Sequence, residues 1–186
     1  MSQADKKMAR TFRMGSFIFE AREGEIALAK DPAEMAADAR LVFIGHIRSP
    51  WKTRADCPKN MAAARATGEQ ASIEIEAQYR RGLDGLAGTS HVVLLSWLGF
   101  APRNLIVQKP RHAAGAKGVF ALRSPARPNP IGLHVARLVA LDANAGMLTL
   151  DAIDALDDTP VIDIKPYFAS IDSFPDATPP RHRDAP

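Results

Sequence analysis

Between residues 41 and 167 the chain sets short apolar runs between turn-forming clusters, a spacing that suits strands better than helices. LVFIGHIRSP (41–50) is an apolar run ended by Ser-Pro, the form of a buried strand entering a loop. SIEIEAQYRRGLDGLAG (72–88) opens with period-two alternation, then places Tyr79, Leu83 and Leu86 at helical spacing before glycines stop it. HVVLLSWLGF (91–100) is the most apolar stretch and reads as a central strand, too short for a membrane helix. KGVFALRS (117–124), LHVARLVAL (133–141), MLTLDAIDAL (147–156) and PVIDIKPY (160–167) predict further strands. LHVARLVAL would also suit a helix, but the proline loop before it and the DANAGM turn after it favour a strand leading into a hairpin. One clear helix among so many strands argues against a doubly wound parallel sheet and for a mainly β body, a barrel or a sandwich.

The ends read differently. Residues 1–40 are Ala-rich and charge-rich around MGSFIFEAREGEIAL, consistent with a strand and turn added at the edge as an N-terminal extension. The tail DSFPDATPPRHRDAP carries four prolines in its last twelve residues and predicts an extended or disordered arm. The expected division is therefore 1–40, a domain at 41–170, and a Pro-rich tail at 171–186. At 186 residues with 46% hydrophobic and 24% charged, the chain has a globular composition. The lone Cys57 excludes an internal disulfide and fits a reducing compartment. No signal peptide or membrane span is legible, so a cytoplasmic protein is expected.

Net charge is only +3, but its distribution is uneven. Residues 85–141 hold seven Lys and Arg (Arg103, Lys109, Arg111, Lys117, Arg123, Arg127, Arg137) and no carboxylate, whereas residues 142–186 hold three cations against nine acids. Either the acid-free middle forms an anion-attracting face, for which phosphate backbones are the common partner, or folding lays the Asp-rich last quarter beside it and neutralises it.

Several chemistries are disfavoured by what is missing. There is no GxxxxGK[ST], and GLDGLAG (82–88) fails the GxGxxG spacing of a Rossmann site. His46, His91, His112, His134 and His182 lie far apart without HExxH or Cys/His pairing, so no metal site is expected, and Cys57 has no readable partner base. The unusual segment is RSPARPNPIGL (123–133), in which three prolines stiffen the loop in advance. Arg123 and Arg127 on such a loop can present planar forks to a phosphate or carboxylate, with Asn129 offering a donor and an acceptor. The plain alternative is a structural turn with solvated arginines. DALDDTPVIDIKPY (154–167) gathers Asp154, Asp157, Asp158, Asp163 and Lys165. On a strand Asp163 and Lys165 share a face, as an ion pair closing a barrel would.

Three ordered motifs, IGHIRSPWK (44–52), GVFALRSPARPNPIGL (118–133) and LDDTPVIDIKPY (156–167), resemble the YaeB-like or TsaA-like family over about 41–168. Studied members of that family are tRNA threonylcarbamoyladenosine N6-methyltransferases. The resemblance implies a single β-barrel that binds S-adenosylmethionine without Rossmann glycines, in a homodimer with the cofactor near the subunit interface. Matched motif by motif, it points to Asn60, Met61, Ala62, Gly99, Phe100, Arg123, Leu133, Ile153 and Asp154 as cofactor contacts. Asp154 and Asp163 are the candidates for accepting the N6 proton, and Lys109, Arg111, Lys117, Arg127 and Asn129 for holding tRNA.

The chain also departs from the family. Asp158 stands where many members have Gly, so a different backbone turn is expected there. Gly99-Phe100 replaces a His-Gln pair, and the C-terminal extension of longer bacterial members is missing. The expected function is methylation of N6 of threonylcarbamoyladenosine beside the tRNA anticodon. The alternatives are a non-catalytic S-adenosylmethionine-binding regulator and a methyltransferase for another RNA or small molecule.

Overall fold

The computed structural model describes residues 11–14, 17–20, 22–28, 31–35, 40–110 and 115–178. In chain order the elements are β1 (Thr11–Met14), β2 (Phe17–Glu20), β3 (Ile26–Ala27), α1 (Pro32–Met35), β4 (Gly45–Arg48), α2 (Met61–Thr67), β5 (Ala71–Ile75), β6 (His91–Trp97), β7 (Leu105–Gln108), β8 (Lys117–Gly118), β9 (Ile131–Asp142), β10 (Met147–Leu150), β11 (Pro160–Pro166) and α3 (Ala169–Asp172), with 3-10 turns at Ala77–Leu83 and Val119–Ala121. The contacts divide them into two compact units, Met1–Ala39 with Gly99–Pro130, and Arg40–Leu98 with Ile131–Pro186.

The second unit is a closed barrel in the order β10-β5-β4-β11-β6-β9, all neighbours antiparallel. Closure leaves no sheet edge to template aggregation. Period-two alternation in the sequence becomes alternation of faces. Along β6, Val92, Leu94 and Ser96 are buried, and along β9, Gly132, His134 and Ala136. Ile47, Ile73, Ile75, Leu94, Leu148, Leu150 and Val161 fill the interior, where truncation such as Leu94→Ala costs about 2–5 kcal/mol. Gly45 is required by close approach: a Cβ there would lie 2.1 Å from the Glu74 carbonyl oxygen.

The first unit contains the β1–β2 hairpin and a small sheet in which β7 pairs with β3 and β8. Pairing of Ile26 with Val107 draws the Gly99–Pro130 excursion to residues before 40, so this segment, assigned from the sequence to the 41–170 domain, clusters with the N-terminal extension instead. Arg22 Nη2 donates to the Lys109 carbonyl (2.6 Å) and the Lys109 N–H donates to Glu25 (3.0 Å) across that sheet.

Three local expectations differ from what forms. Only Lys117–Gly118 of KGVFALRS is strand. Val119–Ala121 turns instead, because the Val119 carbonyl accepts from the Leu122 N–H and from Arg127. The helical spacing after residue 76 yields a 3-10 helix, Ala77–Leu83, rather than an α-helix. The unanticipated helix is α2, whose first turn Asn60 caps by accepting from the Ala63 N–H (2.9 Å), and which Gly68 ends with φ +76°. Of the tail, residues 173–178 are exposed and the rest lies outside the described residues.

Candidate functional site

Within the apolar barrel interior two polar side chains stand out. Ser96 Oγ lies 2.9 Å from His134 Nε2, and His134 Nδ1 lies 2.6 Å from Asp154 Oδ1. Ser96 is fully buried and His134 is 4% exposed, while the Asp154 side chain, in the loop after β10, is 19% exposed. The glycine of the PNPIGL motif makes this line possible: Gly132 is the cross-strand partner of Ser96, and a Cβ there would meet Ser96 Oγ at 2.4 Å and His134 Nε2 at 2.7 Å.

The loop carrying Asp154 is pinned from several sides. Trp51 Nε1 donates to the Ile153 carbonyl (2.8 Å) and Ser49 Oγ to the Ala155 carbonyl (2.8 Å). Asp157 accepts from the Ser49 N–H (3.0 Å) and pairs with Lys52 at 2.7 Å, and the hydrogen bond from Lys52 holds its carboxyl below the usual aspartate range. Arg65 of α2 reaches Asp151 (2.9 Å) and the Val135 carbonyl (2.6 Å), tying α2 to β9 and to this loop. Cys57, just before α2, feels the result. Burial and then the Asp154 charge push its thiol up to about 11, outweighing Arg54, so it is no activated nucleophile.

The residues singled out by resemblance fall into two groups. Asn60, Met61, Ala62, Leu133, Ile153 and Asp154 belong to the barrel unit; Gly99, Phe100, Arg123, Lys109, Lys117, Arg127 and Asn129 belong to the other, and Arg111 lies outside the described residues. In the barrel unit, Met61 packs against the core, Ile153 is buried within it, and Leu133 lies on the outward face of β9. In the first unit Phe100 is 77% exposed. Arg127 is not presented outward: its guanidinium donates to the carbonyls of Ser124 (3.0 Å), Val119 (2.8 Å) and Leu122, stapling the proline loop. Asn129 Oδ1 accepts a long bond from Arg103 (3.4 Å).

The two candidate bases are in different circumstances. Asp163 pairs across β11–β6 with Leu95, two residues from Lys165, to which it is ion-paired at 2.7 Å; its other oxygen accepts the Ile164 N–H. Both of its oxygens are thus engaged on an exposed strand face. Asp154 has one described bond, to His134, so its second oxygen is available to hydroxyl or ammonium donors. His134 and Ser96 are the members of this site that sequence reading missed.

Among the described ion pairs, acids of the last quarter meet Arg48, Lys52, Arg65, His134 and Lys165. An open depression of about 590 Å³ on the β4–β5 wall, lined by Arg48, Lys52, Ser72 and Thr149 among others, has its two cations spoken for by Glu74, Asp157 and Asp158. Among the described residues no group of three or more His, Cys, Asp or Glu could hold a metal ion, and no helix is long and apolar enough to cross a membrane.

The family model for the tRNA-methyltransferase O N-terminal domain matches residues 46–173. The chain belongs to this family. A relative from Methanothermobacter thermautotrophicus, named as a probable S-adenosyl-L-methionine-binding protein, is 43% identical over 74% of this chain and 96% of its own length. The Escherichia coli tRNA (adenine(37)-N6)-methyltransferase is 34% identical over 77% of this chain and 63% of its own. A crystal structure of TrmO from Pseudomonas aeruginosa superposes with a TM-score of 0.61 at 34% identity, covering 77% of this chain and 62% of that one. The chain thus spans less than two thirds of the two TrmO-type enzymes while nearly filling the archaeal relative. The shared barrel is the mainly β fold expected from the sequence.

Proposed function

We propose that the chain binds S-adenosylmethionine and transfers its methyl group to tRNA, with N6 of threonylcarbamoyladenosine beside the anticodon as acceptor. The observation that carries this reading is Asp154: a partly exposed carboxylate of a TrmO-family barrel, with one oxygen held by His134 and no bond to the other among the described residues. Relatives named for binding S-adenosylmethionine and for methylating tRNA support it.

When bound, the cofactor supplies an electrophilic methyl group on sulfur. Asp154 would hold its ribose hydroxyls or ammonium, Ile153 and Met61 would supply apolar wall, and the α2 start at Asn60–Ala62, fixed by its cap, would close the side near Cys57. Displacement at carbon needs little beyond alignment, with N6 held about 3–3.5 Å from the methyl group. Of the two candidate proton acceptors, Asp154 is the better placed, because Lys165 and the Ile164 N–H occupy both oxygens of Asp163. Lys109 and Lys117, with Arg111 and Asn129, would grip phosphates with salt-sensitive affinity. Homodimerisation and a cytoplasmic location complete the reading.

The test is methylation in vitro of two tRNAs of one sequence, with and without threonylcarbamoyladenosine, read by nucleoside mass spectrometry. Gain of one methyl mass on the modified nucleoside alone is expected. Equal methylation of both tRNAs would overturn the acceptor, and cofactor binding with methylation of neither would favour a regulator.

A further inference from the structure

We infer that Ser96 and His134 are positioning residues that fix the orientation of Asp154 toward S-adenosylmethionine, an inference that rests on the function proposed above. Burying a serine and a histidine on the strand faces that carry Leu94 and Ala136 is unfavourable unless every polar atom is answered. Here the answers run in one direction. An ionised carboxylate only accepts, so a ring nitrogen 2.6 Å from Asp154 Oδ1 must carry the proton. In the neutral ring Nε2 is then an acceptor, and the Ser96 hydroxyl at 2.9 Å is the donor that satisfies it. The carboxylate therefore sets the tautomer, and Ser96, by donating to Nε2, holds the ring in the position from which Nδ1 tethers Asp154.

A carboxylate terminus turns through a broad, roughly two-fold torsion, so an untethered Asp154 would sample many orientations. Holding Oδ1 from inside the barrel orders the carboxylate of this partly exposed side chain before any ligand arrives, and that lowers the entropy lost on binding. Gly132 belongs to the same device, because any larger residue would occupy the space of the Ser96–His134 bond. The order hydroxyl, imidazole, carboxylate matches that of serine hydrolases, but the complete burial of Ser96 denies its oxygen a substrate. The chain of bonds is one of orientation.

Two measurements test this. In the ligand-free wild-type protein, the ring ¹⁵N shifts of His134 should report a proton on Nδ1 and an Nε2 accepting from a hydroxyl, a pattern that Ser96→Ala disturbs. A neutral ring protonated at Nε2 would overturn the inference outright, whatever the variants do. In calorimetry with S-adenosylmethionine, with folding of each variant checked by thermal denaturation, His134→Leu should weaken affinity about tenfold or more, since a charged hydrogen bond is removed. His134→Asn, whose amide can occupy the Nδ1 position, should recover most of it even if it is less stable than wild type. Equal affinity in wild type and His134→Leu, or equal losses in the Leu and Asn variants, would overturn the positioning role while leaving the proposed function standing. Absence of binding by the wild type itself would instead overturn that function and this inference with it.

Discussion

Gly132 and Ser96 face each other across β9 and β6, and the space a methyl group would fill at Gly132 is taken by the Ser96 hydroxyl, 2.4 Å from the ideal Cβ position. His134 Nε2, at 2.7 Å, closes the other side. Gly132→Ala should therefore overpack a buried layer and cost about 1–3 kcal/mol in chemical denaturation. Because the closer of the two clashes is with the Ser96 hydroxyl, Ser96→Ala in the same chain should return part of that loss. Additive penalties in the double-mutant cycle would show that the two positions are not coupled.

Asp158 is the one non-glycine among the described residues with positive φ, at +63°. The backbone there takes the left-handed conformation that favours glycine, held in this chain by an aspartate. Its side chain turns outward to Arg48 at 2.7 Å, an exposed pair that contributes little. Asp158→Gly should be at least as stable as wild type, whereas the β-branched Asp158→Val should lose about 1–2 kcal/mol from the left-handed backbone alone. A Val variant as stable as the Gly variant would contradict the strain.

These two positions show what was legible and what was not. Short apolar runs and apolar alternation between turn clusters exposed β4, β5, β6, β9, β10 and β11, because the strands of a closed barrel each turn one apolar face inward. α2 escaped because seven Ala-rich residues carry almost no amphipathic signal; Asn60 before it and Gly68 after it were the readable caps. The Ser96, His134 and Asp154 line was invisible because its members lie 38 and 20 residues apart and meet only through the β6–β9 register and the loop after β10. Arg127 was legible as a rigidly held arginine, but nothing in the sequence says which way a guanidinium points.

The Cys57 thiol offers a local probe of Asp154. It is raised to about 11 from an ordinary 9.0, first by burial and then by the Asp154 charge, so at pH 9 nearly all of it is protonated and alkylation should be slow. Asp154→Asn removes the negative charge and leaves burial in place. The thiol should then titrate lower, and iodoacetamide should react faster at pH 9, with the rate against pH profile shifted to lower pH. An unchanged profile would mean that the carboxylate does not act on Cys57.

Arg127 separates a loop staple from a phosphate ligand. Its guanidinium satisfies three carbonyls of the proline loop, which a single ammonium on a flexible stem cannot reproduce in that geometry. Arg127→Lys keeps the charge, so a residue whose work is phosphate contact would lose little tRNA affinity and keep the salt slope nearly intact. As a staple, Arg127→Lys should instead destabilise the protein by about 2 kcal/mol, seen as a lower denaturation midpoint. Lys109→Ala should do the reverse, leaving the midpoint near wild type while weakening tRNA binding and flattening its salt slope by about 0.9 for one phosphate contact. The Lys variant of Arg127 matching wild type in midpoint while Arg127→Ala flattens the salt slope would return Arg127 to the tRNA-binding surface.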